Sequence, residues 1–541
     1  VTIKSPQDVV SGFVRFEDGL ADFHFPSFDN GRWVVALNGR IDNREEFPGT
    51  TDSEKVLRAY QAWGDRAPDR LIGDFTFAIW DRQERELIAA RDFLGVRPFY
   101  YFGDGRAFLF SSEIATLLSD NRVPRALNEG MVAEFLADRI TSREETLYAA
   151  IRRLPPGHIL RASAKGLRVS RWFSLEPRKP LQIRTDEEVQ AQLRSLLSEA
   201  VRVRMDSGAP VGAYLSGGVD SASVVALAAA SGTISAYSIA FPGRACDESA
   251  RIEELRRRWK LPGEIVPEPA PELDSYVRAT ERTRQFPGYP NGAVLAPLAR
   301  CARRDGVRVV LTGMGGDEWF LGSPPPRPLD WLRRMRPRKT TLPPWIDPDF
   351  AARVCLSDRI GRGPALGGLF STFSSGPHVH ALEMQYLCRQ GDGVDLRHPL
   401  SDRRIVEFAL ALPDQQRRRG SVRKFVLREA MRGDVPDSIR LGTSKADFTH
   451  LFAETLLLPE ARSRMHALEI AGRGWVDARK IGQAYEGMRR SYESKDPAYV
   501  SYAWPLWMAL ALDLFLEKAE SSGIRRGTAV TKEDLLRETY V

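Results

Sequence analysis

The chain has 541 residues, 43% of them apolar and 28% charged, so it is long enough for two or three domains and has the balance of a soluble globular protein. A formal net charge of +7 and a pI near 9.2 permit an anionic partner without requiring one. The four cysteines, Cys246, Cys301, Cys355 and Cys388, form no C-x-x-C and the seven histidines no H-E-x-x-H, which speaks against a disulfide framework and the common zinc sites.

The opening VTIKSPQDVV has no apolar stretch, and no export signal is read there. From Gly31 onward the pattern is rich in strand, beginning with GRWVVALNGRI. DSEKVLRAYQAWG predicts a capped helix with Val56, Leu57, Tyr60 and Trp63 on one face and Gly64 as its stop. FTFAIW and ELIAARD flank a polar turn, and FYYF-GDGR-AFLFSS carries the Asp104-Gly105 signal of a hairpin. Antiparallel sheet with few helices is expected in this third.

After Trp172, SLEPRKPLQIRT reads as a linker. A helix then starts with Thr185 as cap and Glu188 three residues on, a capping box, followed by Val189, Leu193, Leu196, Leu197 and Ala200 at helical spacing. Strand and helix alternate from there: VGAYL, a helix opening near Val219, ISAYSIAF, a helix through EELRRRW, a helix across VLAPLARCARR, and the strand VRVVLTG. This alternation predicts a parallel sheet with helices on both faces, whose ligands sit beyond the carboxyl ends of the strands. Ser216, Ser238 and Thr312 fall at such ends and are placed to converge on one nucleotide. The apolar run 504–516 is too short and too close to Asp513 to be expected to span a bilayer, so a cytoplasmic protein is expected.

The stretch VGAYLSGGVDS at 211–221 organises the rest of the chain. A strand stops at Ser216-Gly217-Gly218 and a helix begins. The glycines let backbone amides crowd against an anion with no Cβ in the way, and the new helix points its free N–H groups at the same spot. Ser216 and Ser221 add hydroxyl donors, and Asp220 puts a carboxylate where a Mg²⁺ on the phosphates would sit. A plain glycine turn is the alternative to a pyrophosphate cradle. No G-x-x-x-x-G-K-[ST] occurs, so this is not the P-loop of kinases and GTPases.

SGGVDS resembles the PP-loop of ATP pyrophosphatases, enzymes that split ATP into AMP and pyrophosphate. LTGMGGDE at 311–318 resembles the SGEGSDE loop of asparagine synthetases, whose Asp shares Mg²⁺ with the PP-loop Asp. The resemblance makes Asp220 and Asp317 the metal ligands and adds Gly313 to an ATP site of Ser216, Gly217, Gly218, Asp220 and Ser221. ISAYSIAF is similar to the family strand whose backbone reads adenine, which places Ser238 near the base. LRHPLSD with IVEFA resembles the RVPFLD…VEFA segment, mostly structural in the family. SVRKFVLR resembles its TKYLLR helix, which implies that Lys424 contacts phosphate, and Lys445 in TSKADF matches the lysine that steadies the transition state. The family's loop Glu, a proton carrier, is here Met314, where β-lactam synthetase has Tyr. Met can neither give nor take a proton, so a base is expected elsewhere. Glu383 is the candidate, because its spacing to His398-Pro399 resembles that of the β-lactam synthetase catalytic Glu; a helix-surface acid is the alternative.

In the first third, LNGRIDN, DSE, GDFTFA, ARDFLGVRP and SSE resemble the glutaminase half of asparagine synthetase B. That half has an N-terminal nucleophile hydrolase fold, an αββα sandwich, and attacks glutamine with an N-terminal cysteine. The given chain opens with Val1 and has no cysteine before Cys246, and the family's NGE is here Asn38-Gly39-Arg40, a carboxylate exchanged for a guanidinium. A domain that keeps the fold as a packing platform and has lost the glutaminase is expected. The fold class is therefore a two-domain combination of α/β and α+β: a degenerate glutaminase-like domain over 1–178 and an ATP pyrophosphatase domain over 179–541, with a parallel sheet and helical additions.

The chemistry implied uses ATP and Mg²⁺: a carboxylate attacks the α-phosphate, and an amine then displaces AMP to leave an amide. GGDEWFLG, LPPW and SKADF look most like lasso-peptide cyclases, which join a peptide's N-terminal amine to an Asp or Glu side chain as a macrolactam. An oriented intramolecular amine has a high effective concentration, so no ammonia is needed. A precursor peptide, a leader peptidase and a leader-binding protein are the implied partners. The insert SPPPRPLDWLRRMRPRKTTLPPW holds six basic residues, Arg327 to Lys339, against the one acid Asp330, and suits a lid or a peptide-contacting arm. The alternatives are a β-lactam-type synthetase, a glutamine-dependent asparagine synthetase, and a non-catalytic PP-loop protein binding RNA through the runs 256–258 and 417–419. Such runs on helices are more often solvated faces, and no aromatic stacking motif accompanies them, so no nucleic acid is expected.

Overall fold

The structure is a computed structural model that describes residues 9–24, 27–174, 185–322, 342–361, 376–443 and 446–520. The linker at 175–184, the insert over 323–341 and Lys445 lie outside the described residues.

Among the described residues the first domain is two stacked antiparallel sheets. One has the spatial order Ala21–His24, Ser11–Arg15, Ala107–Ser111, Tyr100–Gly103, Arg152–Arg153. The other has the order Gly166–Arg171, His158–Ser163, Glu86–Arg91, Gly73–Asp81, Trp33–Ile41, Ser27–Asp29. The expected hairpin forms, with Tyr100 paired to Ser111 and Gly105 at φ +84, a conformation glycine adopts without strain. Period-two alternation along Gly73–Asp81 separates two cores. Ala78 and Trp80 point between the sheets, whereas Phe75, Phe77 and Ile79 point outward to helix Asp52–Trp63. Helices Ile114–Leu118 and Glu129–Leu136 cover the opposite side. The result is the expected αββα sandwich. Helix Asp52–Trp63 begins on the Thr51 cap and buries Val56, Leu57 and Tyr60, but Trp63 is 38% exposed. It stands at the helix's last position, edge-on to Phe47 and beneath Arg70, off the stripe that meets the sheet.

The second domain opens with helix Asp186–Met205, whose capping box forms between Thr185 and Glu188. Val189, Leu193, Leu197 and Ala200 are buried, and Leu196 is half-buried. The parallel sheet runs Ile265–Pro267, Ile234–Ala240, Val211–Tyr214, Val309–Leu311, Asp395–Arg397. Ala213, Ala236 and Leu311 face one core with helices Asp186–Met205 and Val219–Ser231. Tyr214, Tyr237 and Val310 face the other with helix Ala296–Arg304.

The apolar run near the carboxyl end belongs to a longer element than expected. The helical segment Pro497–Ala519, 23 residues, is long and apolar enough by length and composition to cross a membrane. In this structure 67% of its most apolar window is buried inside the protein. Trp507 packs against Tyr276 at 4.6 Å and Phe515 meets Tyr148 of the first domain. The two domains share that core, and Phe93, Leu94 and Val96 of the first domain join the second domain's helical core as well.

Candidate functional site

Strand Val211–Tyr214 ends in the middle of the parallel sheet, and the loop after it turns through Gly217 at φ +81 into helix Val219–Ser231. A Cβ on Gly217 would stand 2.7 Å from Cβ of Glu248, so only glycine fits this turn. The Ser221 hydroxyl holds the loop: it accepts from the Ser216 amide at 3.2 Å, donates to the Gly218 carbonyl at 3.1 Å, and lies 3.0 Å from Ser216 Oγ. Ser216 is exposed at the mouth. The Leu215 amide donates to the Tyr237 carbonyl, which brings Ser238 alongside the start of the loop. Ser238 Oγ is buried and makes no hydrogen bond within the described residues.

The loop after strand Val309–Leu311 packs directly on this cradle. A Cβ on Gly313 would fall 2.5 Å from the Ser221 nitrogen, and one on Gly316 would fall 2.1 to 2.6 Å from the Asp220 carboxyl atoms. Asp220 and Asp317, far apart in sequence, therefore face each other through two glycines. Lys424 lies between them, with Nζ 2.5 Å from Asp220 Oδ2 and 2.8 Å from Asp317 Oδ1. Burial disfavours its charge, but the two carboxylates outweigh that and hold the ammonium above its usual pKa. Lys424 itself adopts φ +58, a left-handed conformation a non-glycine residue holds only where surroundings impose it.

The arrangement suits Mg²⁺. Asp220 Oδ1 is buried with no hydrogen-bond partner among the described residues, the place between the carboxylates already draws a cation, and the donors are hard oxygens. No group of three or more His, Cys, Asp or Glu side chains gathers among the described residues. An open cleft of about 200 Å³ adjoins the cradle, lined in part by Cys246, Glu248, Arg251 and Ala446.

Met314 sits at the centre of the second loop, its side chain half-buried against the helical core. Its amide donates to Thr312 Oγ1 at 3.3 Å, and Thr312 Oγ1 lies 2.7 Å from His398 Nδ1. Glu318, on the same loop, accepts from the Gly315 amide at 2.9 Å, and burial pushes its carboxyl up. Sequence reasoning passed over His398, Ser401 and Gly316. The signal for the first two was present: His398 and Ser401 stand where RVPFLD has Val and Leu.

Glu383, the expected base, sits where the two domains meet. It lies on helix Gly376–Asp392 and is 0% exposed, so it is not a helix-surface acid either. Arg91 reaches it at 3.0 Å, Arg153 at 2.8 Å, and the Tyr100 hydroxyl donates to it at 2.9 Å, all three from the first domain. Burial would raise its pKa, but Arg153 and Arg91 overcome this and hold the carboxyl below its ordinary value. A carboxylate gripped by three donors has neither the basicity nor the open edge that proton abstraction needs. Glu383 is a bolt between domains.

A second buried joint surrounds Arg40. Its guanidinium pairs with Asp42 and Asp74, each at 2.8 Å, where the family motif would put a carboxylate. Four arginines of the two basic runs are engaged within the chain: Arg256 donates to the Gly263 carbonyl, Arg258 to that of Gly433, Arg417 pairs with Asp414, and Arg419 pairs with Asp186 and stacks on Phe425.

Comparison with known proteins matches residues 28–173 to a glutamine amidotransferase domain and residues 192–369 and 379–517 to asparagine synthase. Asparagine synthetase (glutamine-hydrolysing) 3 of Bacillus subtilis is 25% identical over 464 residues, covering 76% of this chain and 75% of its own. Amidase chyE of Penicillium rubens is 30% identical over 340 residues, covering 55% of this chain and 48% of its own, so the chain spans about half of that relative's length. A solved glutamine aminotransferase class-II domain protein from Silicibacter pomeroyi aligns over 30% of this chain and 98% of its own, at 16% identity and a TM-score of 0.20. The asparagine synthase match spans more than half of the residues and contains the whole cradle, and the protein belongs to the asparagine synthase family.

Proposed function

We propose that the protein is an ATP-dependent ligase that adenylates a carboxylate and closes a macrolactam between a peptide's N-terminal amine and an Asp or Glu side chain. The observation that carries the ATP half is the pair Asp220 and Asp317, brought face to face over a glycine-built cradle with Lys424 between them. Mg²⁺ bound there by the two carboxylates would neutralise phosphate charge. Ser216, Ser221 and the amides of 217–218 would hold the pyrophosphate, and Lys424, drawn off the carboxylates, would donate to phosphate. Lys445 keeps its expected role in the transition state by motif alone.

Two features favour an amine supplied by the substrate over ammonia from glutamine. Met314 leaves the loop without the family's proton carrier. Arg40 fills its own neighbourhood with ion pairs to Asp42 and Asp74 where a glutamine amino group would need a carboxylate. A precursor peptide, a leader peptidase and a leader-binding protein are the partners of this reading, and the cytoplasm is its place. The glutamine-hydrolysing Bacillus relative favours a second reading, glutamine-dependent amidation of a small acid.

Pyrophosphate release separates the two. With Mg²⁺ and ATP, synthetic peptides bearing a free N-terminal amine and one internal Asp or Glu are expected to drive release and to lose one water by mass. Asp220→Asn and Asp317→Asn are expected to release none. Release driven by free aspartate with glutamine or ammonia, and not by peptides, would overturn the macrolactam assignment.

A further inference from the structure

The segment 398–402 follows strand Asp395–Arg397 at the edge of the parallel sheet, and it is polar at the two places where the RVPFLD motif is apolar. Both polar side chains reach the Asp317 loop. His398 Nδ1 meets Thr312 Oγ1 at 2.7 Å, and that oxygen also accepts from the Met314 amide. Ser401 Oγ donates to the Met314 carbonyl at 3.3 Å. The backbones close the same contact: Gly315, at φ +109, passes so near Leu400 that a Cβ would stand 2.8 Å from its carbonyl carbon. The loop is thus fastened on one side to 398–401, while Gly313 and Gly316 press its other side on Ser221 and Asp220.

The fastening is itself braced. Asp402 is 0% exposed, caps helix Arg403–Ala411 through the Arg404 amide, and receives Arg204 at 2.6 Å. Arg204, 1% exposed, also reaches Asp42 at 3.3 Å and Asp74 at 3.9 Å in the first domain, the two carboxylates that Arg40 joins. A continuous line of charge therefore runs from the first domain through Arg204 to the segment that grips the loop.

We propose that Thr312, His398 and Ser401 are positioning residues that hold Asp317 in register with the pyrophosphate cradle, braced from the first domain through Arg204. The proposal rests on the nucleotide reading of the site and adds what keeps its two halves aligned. Hydrogen bonds in a dry interior fix distances that ligand binding depends on, and small displacements there are costly.

The test uses the full-length chain and reads the affinity for Mg²⁺·ATP by calorimetry, beside the thermal midpoint. Thr312→Val keeps the shape and removes the hydroxyl; it is expected to weaken binding about tenfold. Thr312→Ser restores the hydroxyl and is expected to bind within about twofold of the parent. Arg359→Met cuts a separate interdomain joint, to Glu134 at 2.8 Å and Glu145 at 2.5 Å, and is expected to lower the midpoint while leaving the affinity unchanged. Parental affinity in Thr312→Val, or an equal loss in Arg359→Met, would overturn the proposal. If either variant fails to fold, Ser401→Ala decides: about threefold weaker binding supports the strut and parental affinity overturns it. A parent chain that binds no Mg²⁺·ATP would sink the proposed function along with it, whereas ATP affinity indifferent to the hydroxyl of Thr312 sinks the strut alone.

Discussion

Gly316 shows how little room the site leaves. Its missing Cβ would lie within 2.6 Å of the whole Asp220 carboxyl, so Gly316→Ala must push that carboxylate away from Asp317 and Lys424. We expect the variant to fold, because the residue is not at positive φ, and to lose about a hundredfold in Mg²⁺·ATP affinity. Gly482→Ala, with nothing within 4 Å of its new Cβ, is the matched control and should bind as the parent does. Equal affinities in both variants would show that Asp220 takes no part. The same scale shows what a motif carries. Asp220, Asp317 and Lys424 meet because each sits in a segment whose local form is set by nearby glycines and caps. The groups that fix Glu383, Arg91 and Arg153, lie 292 and 230 residues away, and no local spacing reports them.

Elements whose signals are local were legible: the hairpin at Asp104-Gly105, the Thr185 capping box, and the strand–helix alternation that builds the parallel sheet. The carboxyl-terminal helix is longer than its apolar run, because the flanking turns extend the same helical segment to Pro497 and Ala519. Helix Gly376–Asp392 carries a feature that no pattern announces. His380 lies edge-on to Phe135, Phe286 and Tyr289 with Nε2 buried and without a hydrogen bond among the described residues, and the charged groups facing it are Arg153 and Glu383. Burial, helped by Arg153, drops its pKa from the ordinary 6.5 to about 3. The folded chain therefore refuses a proton that the unfolded chain takes up below pH 6.5, and wild-type stability must fall as acid increases from there toward pH 3. His380→Leu removes this penalty. The difference in unfolding free energy, variant minus parent, is expected to be flat above pH 7 and to grow by up to about 1.4 kcal/mol per pH unit below pH 6.5. Chemical denaturation at several pH values would measure it, and a difference independent of pH would contradict the buried neutral state.

At the scale of the whole molecule the order of the two domains was readable from composition and motif, but their dependence on each other was not. It resides in pairs separated by hundreds of residues: Glu383 with Arg91 and Arg153, Arg359 with Glu134 and Glu145, Arg97 with Asp395 at 2.6 Å, and Arg204 with Asp42 and Asp402. Buried pairs of this kind contribute little net stability when complete, yet removing one partner strands a charge in a dry interior. Arg40 is the sharpest case, since it alternates with Asp42 and Asp74 at 6% side-chain exposure and Arg204 is their next cation. Arg40→Glu, which rewrites the tripeptide as the family's NGE, would set a third carboxylate beside those two and remove one of their guanidiniums. We expect a loss of about 3–5 kcal/mol or more, seen as a collapsed soluble yield and a lowered thermal midpoint, with no glutamine hydrolysis gained. Arg40→Gln, which removes the guanidinium without adding a carboxylate and leaves Arg204 beside both acids, should fall between the parent and Arg40→Glu. A stable Arg40→Glu protein that hydrolyses glutamine would mean that the first domain is a dormant enzyme. Loss of the fold would mean that its acids serve the joint on which the Asp317 loop is braced.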